Sequence, residues 1–204
     1  MALTKITAGG LADNSVVTAS VADSQVTLAK TTGVQTGWVK ITQGTSGNTA
    51  DRIEIDFSTG STYDHYMLTL ENVTCSVDSR ILAQFKLGGS YATGDNYTWR
   101  VNRTSSGSYS GDSGGSEGSI HITDETGSDT GESLDAQIFF ASPDTTNNRK
   151  KIWWFGNTAQ NNGTSTFMSG VGGNSATTEM TGIRILSSSG NLERGTFTLY
   201  GLIK

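Results

Sequence analysis

The sequence predicts an all-β fold, in which an extended N-terminal arm (residues 1–36) precedes a jelly-roll-like β-sandwich (residues 37–204). Three observations support this prediction. Gly, Ser, Thr and Asn make up 93 of the 204 residues, whereas helices favour long unbranched side chains. Short segments alternate apolar and polar residues with the period of a β-strand. No segment keeps the helical period of apolar residues over three turns.

The predicted arm contains no aromatic residue and carries two similar ten-residue units. Leu11–Val16 reads LADNSV and Val21–Val26 reads VADSQV, although chance similarity in a low-complexity stretch is an alternative. Each unit is too small to bury its own apolar side chains, so we expect the arm to bury them in another copy or another protein. The predicted attachment residues are Leu11, Val16, Val21, Val26 and Leu28.

The first five predicted strands lie between Trp38 and Val101. The second of them alternates most clearly, because Ile53, Ile55 and Phe57 fall on one face and charged residues on the other. The remaining four are short segments interpreted as strands with the same period of two. The five segments are Trp38–Thr42, Arg52–Phe57, Tyr66–Glu71, Ile81–Leu87 and Tyr97–Val101.

Five further strands are predicted in the C-terminal half. These strands are short, with period-2 faces, and most are separated by clusters of Gly, Ser, Asn and Asp. They are Ser119–Thr123, Leu134–Phe140, Lys151–Phe155, Gly182–Leu186 and Gly195–Ile203. Three long loops are predicted between the strands, over residues 103–118, 124–133 and 156–181, and we expect them to present a variable surface.

The segment Trp153-Trp154-Phe155 is a candidate for contact with a ligand or another subunit, because it contains three consecutive aromatic residues. In a strand, Trp153 and Phe155 share one face and Trp154 takes the other. One face would then be core and the other a contact between sheets or subunits, or an exposed ring would stack on a sugar or a base. The predicted surface ligand contacts are Tyr109, Trp154, Asn161 and Asn162.

The sequence offers little material for catalysis or metal binding. The chain has two His residues, His65 and His121, and each is interpreted as a solvated or hydrogen-bonded strand residue. The single Cys75 is interpreted as a half-buried thiol. The acidic loop 124–133 is interpreted as a solvated negative loop, because it lacks the spacing of a calcium-binding loop. We therefore expect no enzymatic activity, no cofactor and no metal.

The charge of the chain bears on its partners. A formal net charge of −5 disfavours a nucleic-acid binder, which needs a basic face. No apolar run approaches the roughly 20 residues of a membrane-spanning helix, and the N-terminus lacks the apolar region of a signal peptide. We expect synthesis in a reducing cytosol.

Both ends of the chain resemble bacteriophage fibre and appendage proteins. Leu11–Thr18 and Val21–Lys30 are similar to the tandem units of about ten residues that begin many such proteins. The C-terminal stretch Gly182–Gly201 is similar to the closing hairpin of phage virion β-sandwiches, with its pattern Ile-Arg-Ile, Ser-Gly-Asn, Gly-Thr and Leu-Tyr-Gly. The resemblance covers about 50 residues and is absent from the middle of the chain.

The resemblance implies a non-enzymatic structural protein of the virion. It would be a homotrimer whose N-terminal arm docks on a capsid or tail protein and whose sandwich projects outward, where it can contact a host surface glycan. Only two units are present, which favours a short tail or head fibre over a long one. A capsid decoration protein is an alternative, and a carbohydrate-binding module is an alternative of another class.

Overall fold

The computed structural model describes residues 37–47, 49–57, 63–160 and 164–203. These residues form thirteen β-strands and contain no helix, so none of them belongs to a helix that could cross a membrane. The strands are β1 (Trp38–Ser46), β2 (Arg52–Asp56), β3 (Tyr63–Cys75), β4 (Ile81–Leu87), β5 (Ser90–Tyr91), β6 (Tyr97–Ser105), β7 (Ser108–Glu117), β8 (Ile120–His121), β9 (Leu134–Ala141), β10 (Lys150–Ala159), β11 (Ser165–Asn174), β12 (Met180–Ser187) and β13 (Leu192–Ile203). The predicted arm lies outside the described residues, so its extent stays a prediction.

The strands form two antiparallel sheets. The larger sheet has eight strands in the order β1-β13-β3-β9-β10-β11-β6-β7. The smaller has five, in the order β2-β12-β4-β5, with β8 also paired to β4. The predicted all-β class is confirmed, and the arrangement is that of a β-sandwich.

The core lies between the inner faces of the two sheets. Leu68, Ile138 and Trp154 reach it from the larger sheet, and Ile55 and Phe85 from the smaller. All five are at most 2% exposed. Their neighbours along each strand point to the opposite face, which explains why the strands of both sheets alternate buried and accessible residues.

All ten predicted strands coincide with strands of the structure, but two of the predicted loops are wrong. Residues 103–118 contain the end of β6 and all of β7, and residues 156–181 contain the end of β10, all of β11 and the start of β12. Both strands missed within these loops, β7 and β11, are rich in Gly and Ser, which give no alternation of apolar residues. Their backbones nevertheless complete the ladders on either side of β6. The two-residue strand β5 was also not predicted. Of the three predicted loops, only 124–133 lies outside the strands.

Candidate functional site

The outer face of the eight-stranded sheet, opposite the core, carries exposed apolar side chains. Most large exposed apolar residues of the described chain lie there. They are Trp38 (39% exposed), Trp153 (43%), Phe155 (43%), Phe167 (54%), Val171 (58%) and Tyr109 (72%). Together with the half-buried Phe139 they are called the outer aromatic face below. Patches of this kind on soluble proteins mark surfaces of contact.

Phe139 on β9 lies at the centre of this face. Its ring stacks on Trp153 with centroids 5.7 Å apart and planes at 10°, and on Phe155 at 5.8 Å and 25°. Trp38, at the start of β1, meets the same ring edge-on at 6.2 Å. The three nearly parallel rings of Phe139, Trp153 and Phe155 therefore form a platform across β9 and β10.

The strand register explains why these side chains meet. Met67 on β3 pairs with Phe139, which pairs with Trp153. Trp153 pairs with Val171, and Val171 pairs with Arg100 on β6. Directly opposed residues of an antiparallel sheet point to the same face, so one row of side chains crosses five neighbouring strands.

A groove crosses β11 at one end of the outer aromatic face. Lys151 and Trp153 of β10 form one wall, and Thr98 and Arg100 of β6 form the other. Gly173 pairs with both Lys151 and Thr98, so its missing side chain leaves the floor between them open. The groove has a volume of about 600 Å³, within the range of small-molecule sites.

The groove is positively charged although the chain is acidic. Arg100, Arg149 and Lys151 line it, and all three are exposed. None of them forms an ion pair within the described part of the chain. The neighbouring Lys150 differs, because its ammonium is buried and donates to the Thr145 carbonyl oxygen. Burial lowers the pKa of Lys150, and Asp144 and Glu179 oppose that shift.

The prediction of Trp154 as a surface contact is wrong. Its side chain is 2% exposed, and its indole Nε1 donates to the Ile122 carbonyl oxygen at 3.0 Å. Gly170 on β11 makes room for the ring, since a Cβ there would lie 2.2 Å from Trp154 Cζ2. The prediction that Trp153 and Phe155 share one face of the strand and Trp154 lies on the other is confirmed. Trp154, however, lies on the face that packs in the core.

The other predicted contacts fall in different places. Tyr109 lies on β7 and is 72% exposed, so it is accessible, and its role in ligand contact stays a prediction. Asn161 and Asn162 lie outside the described residues. So do the five predicted attachment residues, Leu11, Val16, Val21, Val26 and Leu28.

The acidic loop 124–133 is less solvated than predicted. Asp124 accepts a hydrogen bond from Arg103, which also pairs with Asp112 at 3.5 Å. Glu132 is buried and its Oε2 accepts from the backbone N–H of Asp129 at 2.9 Å. Within the described ranges, no three His, Cys, Asp or Glu side chains are grouped to hold a metal ion.

His121 and Cys75 are both more enclosed than predicted. The His121 ring stacks on Trp99 with centroids 4.2 Å apart, and burial, reinforced by the Arg80 charge, lowers the pKa of its imidazole. Cys75 is fully buried rather than half-buried. Burial raises the pKa of its thiol, against an opposing hydrogen bond from Ser187.

Comparisons with protein-family models, curated proteins and solved structures found no match to this chain.

The residues of the groove are not predictable from the sequence alone, for a physical reason. Arg100, Lys151 and Gly173 come together only through the order β10-β11-β6, and β11 was predicted as loop. One local signal was present. Lys151 lies on the same face of the strand as Trp153 and Phe155, since the three residues are two positions apart. A charged residue on this face indicates that the face is exposed to solvent.

Proposed function

We propose that this chain is a non-enzymatic structural virion protein of a bacteriophage, a short trimeric fibre of the tail or head. Residues 1–36 would anchor it to a capsid or tail protein, and the β-sandwich would form the exposed body. The resemblance of both chain ends to phage appendage proteins supports this role. The all-β body is compatible with it.

The Phe155 and Phe167 side of the outer aromatic face is the observation that carries the proposal. Phe155 and Phe167 lie on neighbouring strands and expose about half of their surface. Exposed apolar area of this kind is stabilised when another surface covers it, at roughly 25 cal/mol per Å². In a homotrimer, equivalent faces of three copies can cover one another. An assembly subunit needs such a surface.

Virion association tests the proposal directly. Purified phage particles are probed by immunogold labelling and mass spectrometry for the full-length chain and for a variant lacking residues 1–36. We expect the full chain on the particle, and the variant soluble but absent from it, because the attachment residues are removed. Circular dichroism of the free variant serves as the folding control. Absence of the full chain from particles would overturn the proposal.

The position of the gold label also separates the alternatives. Label at the tip of an appendage fits a fibre, whereas label spread evenly over the head fits a capsid decoration protein.

A carbohydrate-binding module is the second candidate. The platform of Phe139, Trp153 and Phe155 favours it, since nearly parallel exposed rings can cover the apolar faces of sugars. A glycan array with the purified chain tests it. Binding that is lost in both Trp153→Ala and Phe155→Ala would support this candidate, and binding that persists in both variants would exclude the platform as the binding surface.

A further inference from the structure

We propose that the groove across β11 is a binding site for a carboxylated sugar of an acidic polysaccharide. The groove lies on the Lys151 side of Trp153, whereas the surface proposed for self-association lies on the Phe155 and Phe167 side. The site is formed within one chain, so the inference goes beyond the virion role and does not depend on it.

The dimensions of the groove suit a single sugar ring. Its two walls stand on β10 and β6, with one strand between them. Neighbouring strands lie about 4.8 Å apart, so the wall backbones are separated by roughly 10 Å. Gly173 keeps the floor at backbone height, and a Cβ at this position would lie 2.5 Å from the Lys150 carbonyl oxygen. The close packing of β10 and β11 therefore favours glycine there.

The charges of the groove select an anion. Arg100 and Lys151 stand on opposite walls, and Arg149 adds a third cation at one end. Because none has an ion-pair partner in the described chain, their donors are available to a ligand. An Arg guanidinium binds a carboxylate through two parallel hydrogen bonds.

Trp153 and Val171 give the groove its apolar side. Trp153 is packed on Phe139, which fixes the plane of the indole. A rigid exposed indole beside cations fits a ring that has an apolar face and a carboxylate at its edge, as uronic and sialic acids do. An acidic chain is less suited to nucleic acid, whose dense phosphates require a wide basic face.

Binding of acidic oligosaccharides to the purified full-length chain tests this inference. The probes are oligogalacturonate, oligoalginate and oligosialic acid, each compared with its methyl ester, which keeps the sugar but removes the charge. Titration calorimetry and Trp fluorescence report binding. We expect at least one acid to bind, its ester to bind at least about tenfold more weakly, and the affinity to fall in 0.5 M NaCl, because salt screens charge pairs.

Variants locate the site. Arg100→Ala and Lys151→Ala are each expected to weaken binding about tenfold. Trp153→Ala is expected to abolish it and Trp153→Phe to restore part of it. Lys40→Ala is the matched control, since Lys40 is an exposed cation of the same sheet on the distant strand β1. A cooperative urea transition confirms that each variant folds, with an unchanged midpoint expected for Arg100→Ala, Lys151→Ala and Lys40→Ala.

Four results would overturn the inference. Three concern the acidic probes: no binding of any of them, equal binding of acid and ester, or binding that survives both Arg100→Ala and Lys151→Ala. Tighter binding of a single-stranded oligothymidylate than of every acidic sugar would also overturn it, because the groove would then recognise phosphate and base. These titrations need no virion, so their failure is distinct from failure of the virion proposal.

Discussion

Two adjacent tryptophans show how one position in a strand decides a residue's role. Trp154 points into the core, where its indole has a hydrogen-bond partner and Gly170 provides space. Trp153 points to the outer face and is 43% exposed. Composition alone treats the two residues as equivalent, whereas the period of the strand separates them.

Alanine substitution of each tryptophan tests this assignment. Trp154→Ala removes a buried ring and should lower the free energy of unfolding by about 3–5 kcal/mol. Trp153→Ala removes one stacked surface ring and should cost only about 1 kcal/mol. Urea denaturation followed by far-ultraviolet circular dichroism measures both. Equal losses for the two variants would contradict the assignment of the faces.

At the scale of elements, a strand is predictable from the sequence when its side chains alternate between apolar and polar. A strand that is defined only by pairing with its neighbours is not predictable. The alternation of Ile53 and Ile55 makes β2 predictable. β7 contains Gly and Ser at most positions and buries no side chain, so only its pairing with β6 defines it, through backbone hydrogen bonds and the Arg103–Asp112 ion pair. Long-range pairing of this kind leaves no local signal. The groove was unpredictable for the same reason, because its walls are joined by β11.

Hydrogen exchange of the full chain tests the difference between these two kinds of strand. β7 is an edge strand without buried side chains, and β9 lies inside the sheet with four buried ones. We expect opening free energies near zero for amides of residues 108–117 and close to the global value for residues 134–141. Mass spectrometry of peptic fragments resolves the two segments. Comparable protection of the two segments would contradict the conclusion that β7 is kept in the sheet only by its pairing with β6.

At the scale of the whole molecule, the two faces of the larger sheet differ in what they contact. The inner face packs on the smaller sheet and forms the core. The outer aromatic face is left accessible in the single chain, with a cationic groove at one end and Phe155 and Phe167 at the other. Under the two proposals, one sheet would stabilise the fold, associate with other copies and bind a ligand.

The molar mass of the full-length chain in solution, measured by light scattering after size-exclusion chromatography, tests the role of the outer aromatic face most directly. We expect the mass of three chains for the natural sequence. For the double variant Phe155→Ser, Phe167→Ser we expect the mass of one chain, because the proposed contact is removed while the core is untouched. Val77→Ser, which removes an exposed apolar side chain outside the strands, should remain trimeric. A folded double variant that keeps the mass of three chains, or a natural sequence with the mass of one chain, would contradict self-association through Phe155 and Phe167.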